Sequence, residues 1–167
     1  MRKMTEENLK AAFEGESQAH MKYTIFADRA EKEGYPEVAR LFRAISYAER
    51  VHATNHLRAL GGIGATVANM GEAIEGENYE NTEMYPAFNA VAELQGEKEA
   101  VRSIHYALEA EKIHEAMYGE ARDIVQTGKD RDSAKVHVCP TCGYTVIGEP
   151  PDRCPVCRVK KEKFRAF

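Results

Sequence analysis

Two segments of the chain contain the same set of potential metal ligands, repeated 61 to 62 residues apart. Each segment has one glutamate followed, further along, by a Glu-x-x-His sequence. In chain order the residues are Glu16, Glu49, His52, Glu77, Glu111 and His114. Residues three positions apart on a helix are surface neighbours, so each Glu-x-x-His presents a carboxylate and an imidazole in one direction. Such a set, drawn from four helices, is the ligand set of a carboxylate-bridged di-metal site.

Four helices are predicted to position these ligands, because apolar residues recur every three or four positions over four stretches. The stretches are residues 5–33, residues 36–60, a third one that follows 61–68 and ends near Gly96, and residues 97–126. Thr5 is the expected N-cap of the first helix. Four helices that each have one apolar stripe predict a mostly α protein built as a four-helix bundle.

The ligand candidates lie on the apolar stripes of these helices. The apolar residues expected to face inward beside them include Val38, Ile45, Met84, Phe88 and Val91. An unpaired carboxylate buried at such a position costs several kcal/mol, and four of them would approach the whole stability of a domain. Divalent metal ions remove that cost, so the positions favour a di-metal site over ordinary surface glutamates.

The two copies differ at one position. Glu80 follows Glu77 by three residues and shares its helical face, whereas Ala19 occupies the matching position after Glu16. One metal position therefore has an additional carboxylate. Five glutamates carry a net charge of −1 with two ferrous ions, and also with two ferric ions and a bridging oxide, which suits a redox metal. The ligand types by themselves also suit manganese or zinc.

A second metal site is predicted near the C-terminus, where two Cys-x-x-Cys pairs are separated by 11 residues. The cysteines are Cys139, Cys142, Cys154 and Cys157. Such pairs close a tetrahedron of thiolates around one metal, and zinc in a structural ribbon fits this spacing as well as iron does. Tyr144, Phe164 and Phe167 are expected to cover the site. This segment is too short for an independent apolar core, so the metal is expected to supply much of its stability.

Composition and charge exclude several classes of protein. The net charge of −4 offers no basic surface for nucleic acid, and no apolar stretch approaches the ~20 residues of a membrane-spanning helix. The N-terminus runs directly into a helical pattern without the apolar core of a signal peptide. A cytoplasmic protein is therefore expected, in which paired cysteines bind metal rather than form disulfides.

A change of pattern divides the chain. Residues 127–133 are polar and aperiodic and are interpreted as a linker, and a short β-strand is predicted near 136–138. We predict a helical domain over residues 1–130 and a small cysteine domain over residues 131–167.

Taken together, the motifs resemble those of rubrerythrins over essentially the full length of the chain. They are Gly15-Glu16-Ser17, Ala48-Glu49-Arg50-Val51-His52, Gly76-Glu77-Asn78-Tyr79-Glu80, Thr82-Glu83-Met84-Tyr85-Pro86, Ala110-Glu111-Lys112-Ile113-His114 and the two cysteine pairs, each with a proline after its first cysteine. The resemblance implies a ferritin-like four-helix bundle that holds two non-haem irons. It also implies a rubredoxin-like C-terminal domain that holds one iron.

The resemblance also implies roles for individual residues. The implied di-iron ligands are Glu16, Glu49, His52, Glu77, Glu80, Glu111 and His114. At one iron, Glu80 is expected to exchange with His52 when the site is reduced. Tyr23 and Tyr85 are expected to hydrogen-bond to ligand carboxylates. These four are the implied catalytic residues.

The implied activity is that of a peroxidase that reduces hydrogen peroxide to water and so protects against oxidative stress. Its electrons are expected to come from NAD(P)H through a partner protein, either rubredoxin or a pyridine-nucleotide-linked reductase. The linker begins at one end of a long bundle, so transfer within one chain is expected to be unfavourable. The resemblance accordingly implies a head-to-tail homodimer.

Two alternatives to the peroxidase prediction remain open. The first is a ferroxidase or oxygen reductase of ferritin-like type, because the same ligands serve iron oxidation. The second is a helical bundle with a zinc ribbon and no enzymatic activity, since zinc can occupy either site.

One residue departs from the family pattern. Arg158 follows the last cysteine, where glycine is usual. The turn at this position often needs a positive φ, which arginine adopts with some strain. Its charge beside the metal is expected to tune the reduction potential.

Overall fold

Two helices joined by a tight turn form the first of two compact units in the chain. The protein is described here from a computed structural model that covers residues 1–167, and the units are Met1–Gly64 and Ala65–Phe167. Helix α1 spans Lys3–Lys32 and helix α2 spans Pro36–Ala59. Gly34 has a φ of +85°, a backbone conformation that favours glycine, and Pro36 starts α2 as predicted.

The beginning of α1 differs from the prediction. The helix starts at Lys3 with Arg2 as its N-cap, and no side chain caps it. Thr5 therefore lies inside the first turn, and the prediction that it is the N-cap is wrong. Glu6 in that turn still interacts favourably with the N-terminal end of the helix dipole.

Small side chains form the contact between α1 and α2. The buried residues of this unit are Ala27, Ala30, Ala39, Ser46 and Ala53. Alanine and serine allow the two helix backbones to approach closely, so the larger apolar residues lie beside the contact rather than in it. The prediction that Val38 and Ile45 face inward is therefore wrong, because both are exposed.

The second unit begins with a long helix that contains a π-helical turn. Helix α3 spans Thr66–Tyr79, the π-helical turn spans Glu80–Met84, and helix α4 spans Tyr85–Gln95. Helix α5 then spans Lys98–Gln126. Together these elements account for the third and fourth predicted helices, and the chain is mostly helical as predicted. No helix combines the length and the apolar character needed to cross a membrane.

The π-helical turn changes which residues of α4 are buried. A π-turn holds one residue more than an α-turn, so every later side chain is rotated from its expected direction. Ala92 is 6% exposed, whereas Phe88 and Val91 are each 52% exposed. The prediction that Phe88 and Val91 lie inward is wrong for this reason, because an uninterrupted α-helical periodicity lacks the extra residue of the π-turn.

The C-terminal part of the second unit is a small antiparallel sheet with two cysteine turns. Strand β1 is Val136–Val138, β2 is Thr145–Ile147 and β3 is Arg165–Ala166, in the spatial order β2-β1-β3. The strand predicted near 136–138 is thus confirmed. We refer to residues 136–167 as the cysteine module.

The side chains around the cysteines differ in one respect from the prediction. Tyr144 and Phe164 pack against the buried cysteines, with ring centroids 6.3 Å apart. Phe167 does not cover the site, because it is 66% exposed and lies under the guanidinium of Arg165 instead. Tyr106 from α5 packs there, so the cysteine module lies against that helix.

Candidate metal centres

The first ligand cluster lies within the α1–α2 unit. Nδ1 of His52 is 3.0 Å from Oε2 of Glu49 and 3.7 Å from Oε1 of Glu16. One ligand atom from each residue lies within 4.8 Å of the others, close enough to share a metal ion. The His52 side chain is 53% exposed and that of Glu49 is 17% exposed, so His52 is the most exposed ligand of this cluster. Its exchange with Glu80 stays a prediction.

The second cluster lies within the unit Ala65–Phe167 and has the same composition. Nδ1 of His114 is 2.6 Å from Oε2 of Glu111 and 4.0 Å from Oε2 of Glu77. Their ligand atoms also lie within 4.8 Å of one another. The repeat predicts one di-metal site from all six residues, and the structure assembles the two triplets that would form it, each within its own unit. Both triplets depend on the i, i+3 spacing of Glu-x-x-His on one helix.

The carboxyl groups of the second cluster repel one another strongly. Burial, a hydrogen bond with Glu111 and the negative charges of Glu111, Glu80 and Glu115 raise the pKa of Glu77 to about 8. Burial and the charge of Glu111 also raise the pKa of Glu80. Glu80 therefore lies within electrostatic range of Glu111, but it is not one of the residues whose ligand atoms lie within 4.8 Å of one another, and its role as a ligand stays a prediction. At neutral pH Glu77 retains a proton that a bound cation would displace.

The hydrogen bonds of His114 test whether a metal fits this cluster. The Thr145 hydroxyl donates to the Gly143 carbonyl at 2.8 Å, so it accepts a bond from Nε2–H of His114 at 2.9 Å. Nδ1 of the ring then lies only 2.6 Å from a Glu111 oxygen, a distance at which the two atoms share a proton or a cation. The donors therefore fit a divalent metal held by Nδ1 and the two carboxylates.

Metal binding at this cluster is expected to release about one proton at pH 7, because the pKa of Glu77 near 8 keeps it protonated without metal. Calorimetric titration with Mn²⁺ in buffers of different ionisation enthalpy measures this release, and Mn²⁺ largely avoids the thiolates. The release should decline as the pH rises through 8, where Glu77 is already ionised. The variant Glu77→Gln should lack it. A heat of binding that is independent of the buffer would contradict the raised pKa.

The two predicted catalytic tyrosines have different surroundings. Burial and the charges of Glu80, Glu111 and Glu77 raise the pKa of Tyr85, so its phenol lies close to the second cluster and holds its proton. Tyr23 lies among aromatic rings, with its centroid 6.0 Å from Phe42 and 6.3 Å from Phe26. The hydrogen bonds predicted from both tyrosines to ligand carboxylates stay predictions.

The four cysteines converge on one point. The Sγ atoms of Cys139 and Cys157 are 3.4 Å apart, as are those of Cys142 and Cys154, and none forms a disulfide. All four Sγ atoms lie within 4.8 Å of one another. A tetrahedron with metal–sulfur bonds of ~2.3 Å has S···S edges of about 3.8 Å, so this arrangement fits one tetrahedral metal.

Backbone N–H groups point at these sulfurs. Burial opposes ionisation of Cys154, but hydrogen bonds from the N–H groups of Cys157 and Val156, with those of neighbouring thiols, lower its pKa. Burial raises the pKa of Cys142 and of Cys157. Hydrogen bonds to sulfur are one of the determinants of the reduction potential of an iron–thiolate site.

Arg158 adopts the conformation that its position predicted. It is the only non-glycine residue with a positive φ, at +67°, and its N–H donates to the Cys154 carbonyl at 3.0 Å. The turn after Cys157 therefore needs the left-handed conformation that glycine takes without strain. The family's usual glycine and this chain's arginine thus fulfil the same backbone requirement.

The cysteine module lies closer to the second cluster than the sequence predicts. The linker was expected to keep the cysteine site far from the ligands of its own chain, yet Thr145 of β2 hydrogen-bonds to His114. Gly143 lies close to Ala110 of α5, since a Cβ there would be 3.4 Å from the Ala110 side chain. A large distance within one chain is therefore not a reason to expect electron transfer between chains at the second cluster. No sequence signal marks Thr145 or Tyr106, because both contacts arise where the cysteine module packs against α5.

Comparison with known proteins identifies the family. The family model described as rubrerythrin matches residues 7–121, and the model for the rubrerythrin rubredoxin-like domain matches residues 137–165. Rubrerythrin-2 of Clostridium acetobutylicum is 44% identical, over 98% of this chain and 97% of the relative. Nigerythrin of Nitratidesulfovibrio vulgaris is 38% identical, over 98% of this chain and 86% of the relative.

Solved structures support the same conclusion at the level of the fold. The structure of fully reduced, all-ferrous nigerythrin has a TM-score of 0.59 at 36% identity, and covers 98% of this chain and 86% of that one. The ferritin-like fold class with a rubredoxin-like C-terminal part is therefore confirmed. With both family models matched and the Glu/His and four-cysteine clusters assembled, the chain belongs to the rubrerythrin family and has its di-iron and rubredoxin-like iron sites.

Proposed function

We propose that the protein is a non-haem di-iron peroxidase that reduces hydrogen peroxide to two molecules of water. The observation that carries this proposal is the hydrogen-bonded connection between a thiolate cluster and a Glu/His cluster in one chain. A thiolate-bound iron delivers one electron at a time, whereas cleavage of a peroxide O–O bond consumes two electrons and two protons. When bound, the paired irons of the Glu/His ligands store the two electrons.

The residues around the second cluster are suited to supply the protons. Burial and nearby carboxylates raise the pKa of Tyr85, so its phenol retains a proton at neutral pH. Burial and the charge of Glu111 raise the pKa of Glu80, which favours the protonated form of this carboxyl. In the proposed reaction both protons go to the separating oxygen atoms, which leave as two waters. Glu80 is the carboxyl without a counterpart in the first repeat, so its displacement from the site is a step that only one half of the molecule can perform.

The proposed entry of electrons follows from the contacts of His114. The Gly143 carbonyl adjoins Cys142, accepts from the Thr145 hydroxyl, and that hydroxyl accepts from Nε2 of His114. This places only covalent bonds and two hydrogen bonds between the thiolate cluster and a ligand of the Glu/His cluster. We therefore propose transfer within one chain to this cluster. The head-to-tail homodimer and the NAD(P)H-linked donor remain part of the proposal, as does a cytoplasmic location, where unpaired thiols persist.

The direct test compares the two oxidants. The anaerobically reduced protein is mixed with hydrogen peroxide or with oxygen in a stopped-flow instrument, and the return of the oxidised iron absorption is followed. We expect peroxide to react at least ~10²-fold faster, the scale of rate gain that positioned proton donors supply. A faster reaction with oxygen would support the ferroxidase or oxygen-reductase alternative instead.

Metal analysis separates the enzyme from the zinc-ribbon alternative. The proposal expects three irons per chain, two for the Glu/His ligands and one for the cysteines, and a visible spectrum that dithionite bleaches. A colourless protein with zinc in the cysteines and no response to dithionite would contradict an electron-transfer role.

A further inference from the structure

A glutamate that belongs to neither metal cluster connects α5 to the π-helical turn. The two carboxylate oxygens of Glu115 accept separate hydrogen bonds, one from Nδ2 of Asn78 at 3.0 Å and one from Nδ2 of Asn81 at 2.9 Å. Asn78 lies in the last turn of α3 and Asn81 lies within the π-turn. Glu115 therefore binds one residue just before the π-turn and one residue within it.

The orientation of the Asn81 amide shows that this contact is constrained. Its Oδ1 atom is buried and has no hydrogen-bond partner. A buried acceptor without a partner is unfavourable. A flip of the amide would place Oδ1 against the Glu115 carboxylate, where two acceptors repel. The charge-assisted bond to Glu115 thus outweighs the unsatisfied oxygen.

The π-turn determines which later side chain of this helix points in the same direction as the ligand Glu77. In an uninterrupted α-helix the residue seven positions after Glu77 is Met84. The extra residue of the π-turn rotates the helix so that Tyr85 takes this direction, within range of the charges of Glu80, Glu111 and Glu77. Ala92, seven residues further, is buried. An α-helical Glu80–Met84 segment would turn the Tyr85 phenol away from the cluster by about 100°.

We propose that Glu115 is a positioning residue, which holds the π-turn through Asn78 and Asn81 and thereby directs Tyr85, instead of Met84, towards the Glu77/Glu111/His114 cluster. The use of the Tyr85 proton rests on the proposed function. The positioning itself does not, and it is measurable in the protein without turnover.

The first measurement is hydrogen–deuterium exchange of the metal-free full-length protein. In the variant Glu115→Ala, the backbone amides of residues 80–85 should exchange about tenfold faster or more, since the hydrogen bonds from Asn78 and Asn81 to Glu115 are both lost. Glu120→Ala, an exposed glutamate on the same helix, is the matched control and should not change exchange there. Glu115→Gln keeps the size of the side chain and loses one of the two acceptors, so it should give an intermediate increase if the alanine variant is poorly folded.

The second measurement follows Tyr85 itself. The protein is labelled with fluorotyrosine, loaded with Co²⁺, and the Tyr85 resonance is assigned with Tyr85→Phe. In the wild type the paramagnetic ion should broaden this resonance beyond detection, and in Glu115→Ala it should return as a sharp line. Failure of Co²⁺ to bind would count against the metal site and the proposed function. The exchange data would still test whether Glu115 holds the π-turn.

A deletion separates control of the helical register from a general structural role. Deletion of Thr82, an exposed residue of the π-turn, removes the extra residue, so an ordinary α-helix would again direct Tyr85 towards the cluster. Glu115→Ala combined with this deletion should restore the broadened Tyr85 resonance. The proposal is overturned if the double variant leaves Tyr85 displaced, or if Glu115→Ala changes neither the exchange rates nor the resonance.

Discussion

Replacement of Glu111 by alanine is expected to reduce peroxide turnover by at least ~10²-fold, the upper end of the range for residues that merely support a metal ligand. Glu111 is the central residue of its cluster. Its carboxylate lies 2.6 Å from Nδ1 of His114, and it hydrogen-bonds to Glu77 and raises that residue's pKa. Without it the cluster loses a ligand, and His114 loses the partner that its ring nitrogen faces.

Iron content, measured together with stopped-flow oxidation by peroxide, checks this prediction. The matched control is Glu109→Ala, two residues earlier on the same helix, where the carboxylate pairs with Lys112 at 2.7 Å on the surface. A surface pair of this kind contributes only about 0–1 kcal/mol, so the control should keep its iron and its activity. A Glu111→Ala protein with full iron content and wild-type turnover would show that the cluster is not the reactive site.

Replacement of Cys154 by alanine is expected to unfold the cysteine module and to abolish turnover that depends on an electron donor protein. Cys154 is completely buried, and its sulfur receives backbone N–H bonds from Cys157 and Val156. Structural tetrathiolate metals contribute about 10–16 kcal/mol in small modules, more than a module of this size gains from its own apolar contacts. The helices should remain folded, because they pack mainly against one another and only α5 contacts the cysteine module.

This prediction separates electron delivery from peroxide chemistry. In Cys154→Ala, chemically reduced protein should still be oxidised by one equivalent of peroxide, while donor-dependent turnover should be absent. Arg158→Gly is the matched control, since it keeps all four cysteines and places glycine at a φ of +67°. That variant should be more stable by about 1 kcal/mol. If donor-dependent turnover persisted in Cys154→Ala, electrons would enter the Glu/His site by another route.

Much of the helical architecture could be predicted from the sequence because its signals are local. Gly34, Gly61 and Gly96 all adopt positive φ near the helix ends, where only glycine does so without strain. The failures have a common cause. Capping rules place Thr5 at the N-cap and periodicity places Val91 inward. These rules do not account for a helix that begins at Lys3 or for the extra residue of the π-turn.

The sequence by itself determined the ligand types and their grouping. Glu-x-x-His has its two side chains adjacent on any helix, and paired cysteines with short spacers converge on one metal in any suitable turn. These are properties of neighbours along the chain, and they hold whatever the helices pack against.

Only the tertiary structure decided the contacts between residues that are distant in sequence. Three hydrogen bonds join residues that are 31 to 37 positions apart: the one between His114 and Thr145, and those from Asn78 and Asn81 to Glu115. Their formation depends on the path of the linker and on a single extra residue in one helix. The physical reason is that a side chain's direction follows from local backbone geometry, whereas its partner follows from where the rest of the chain packs.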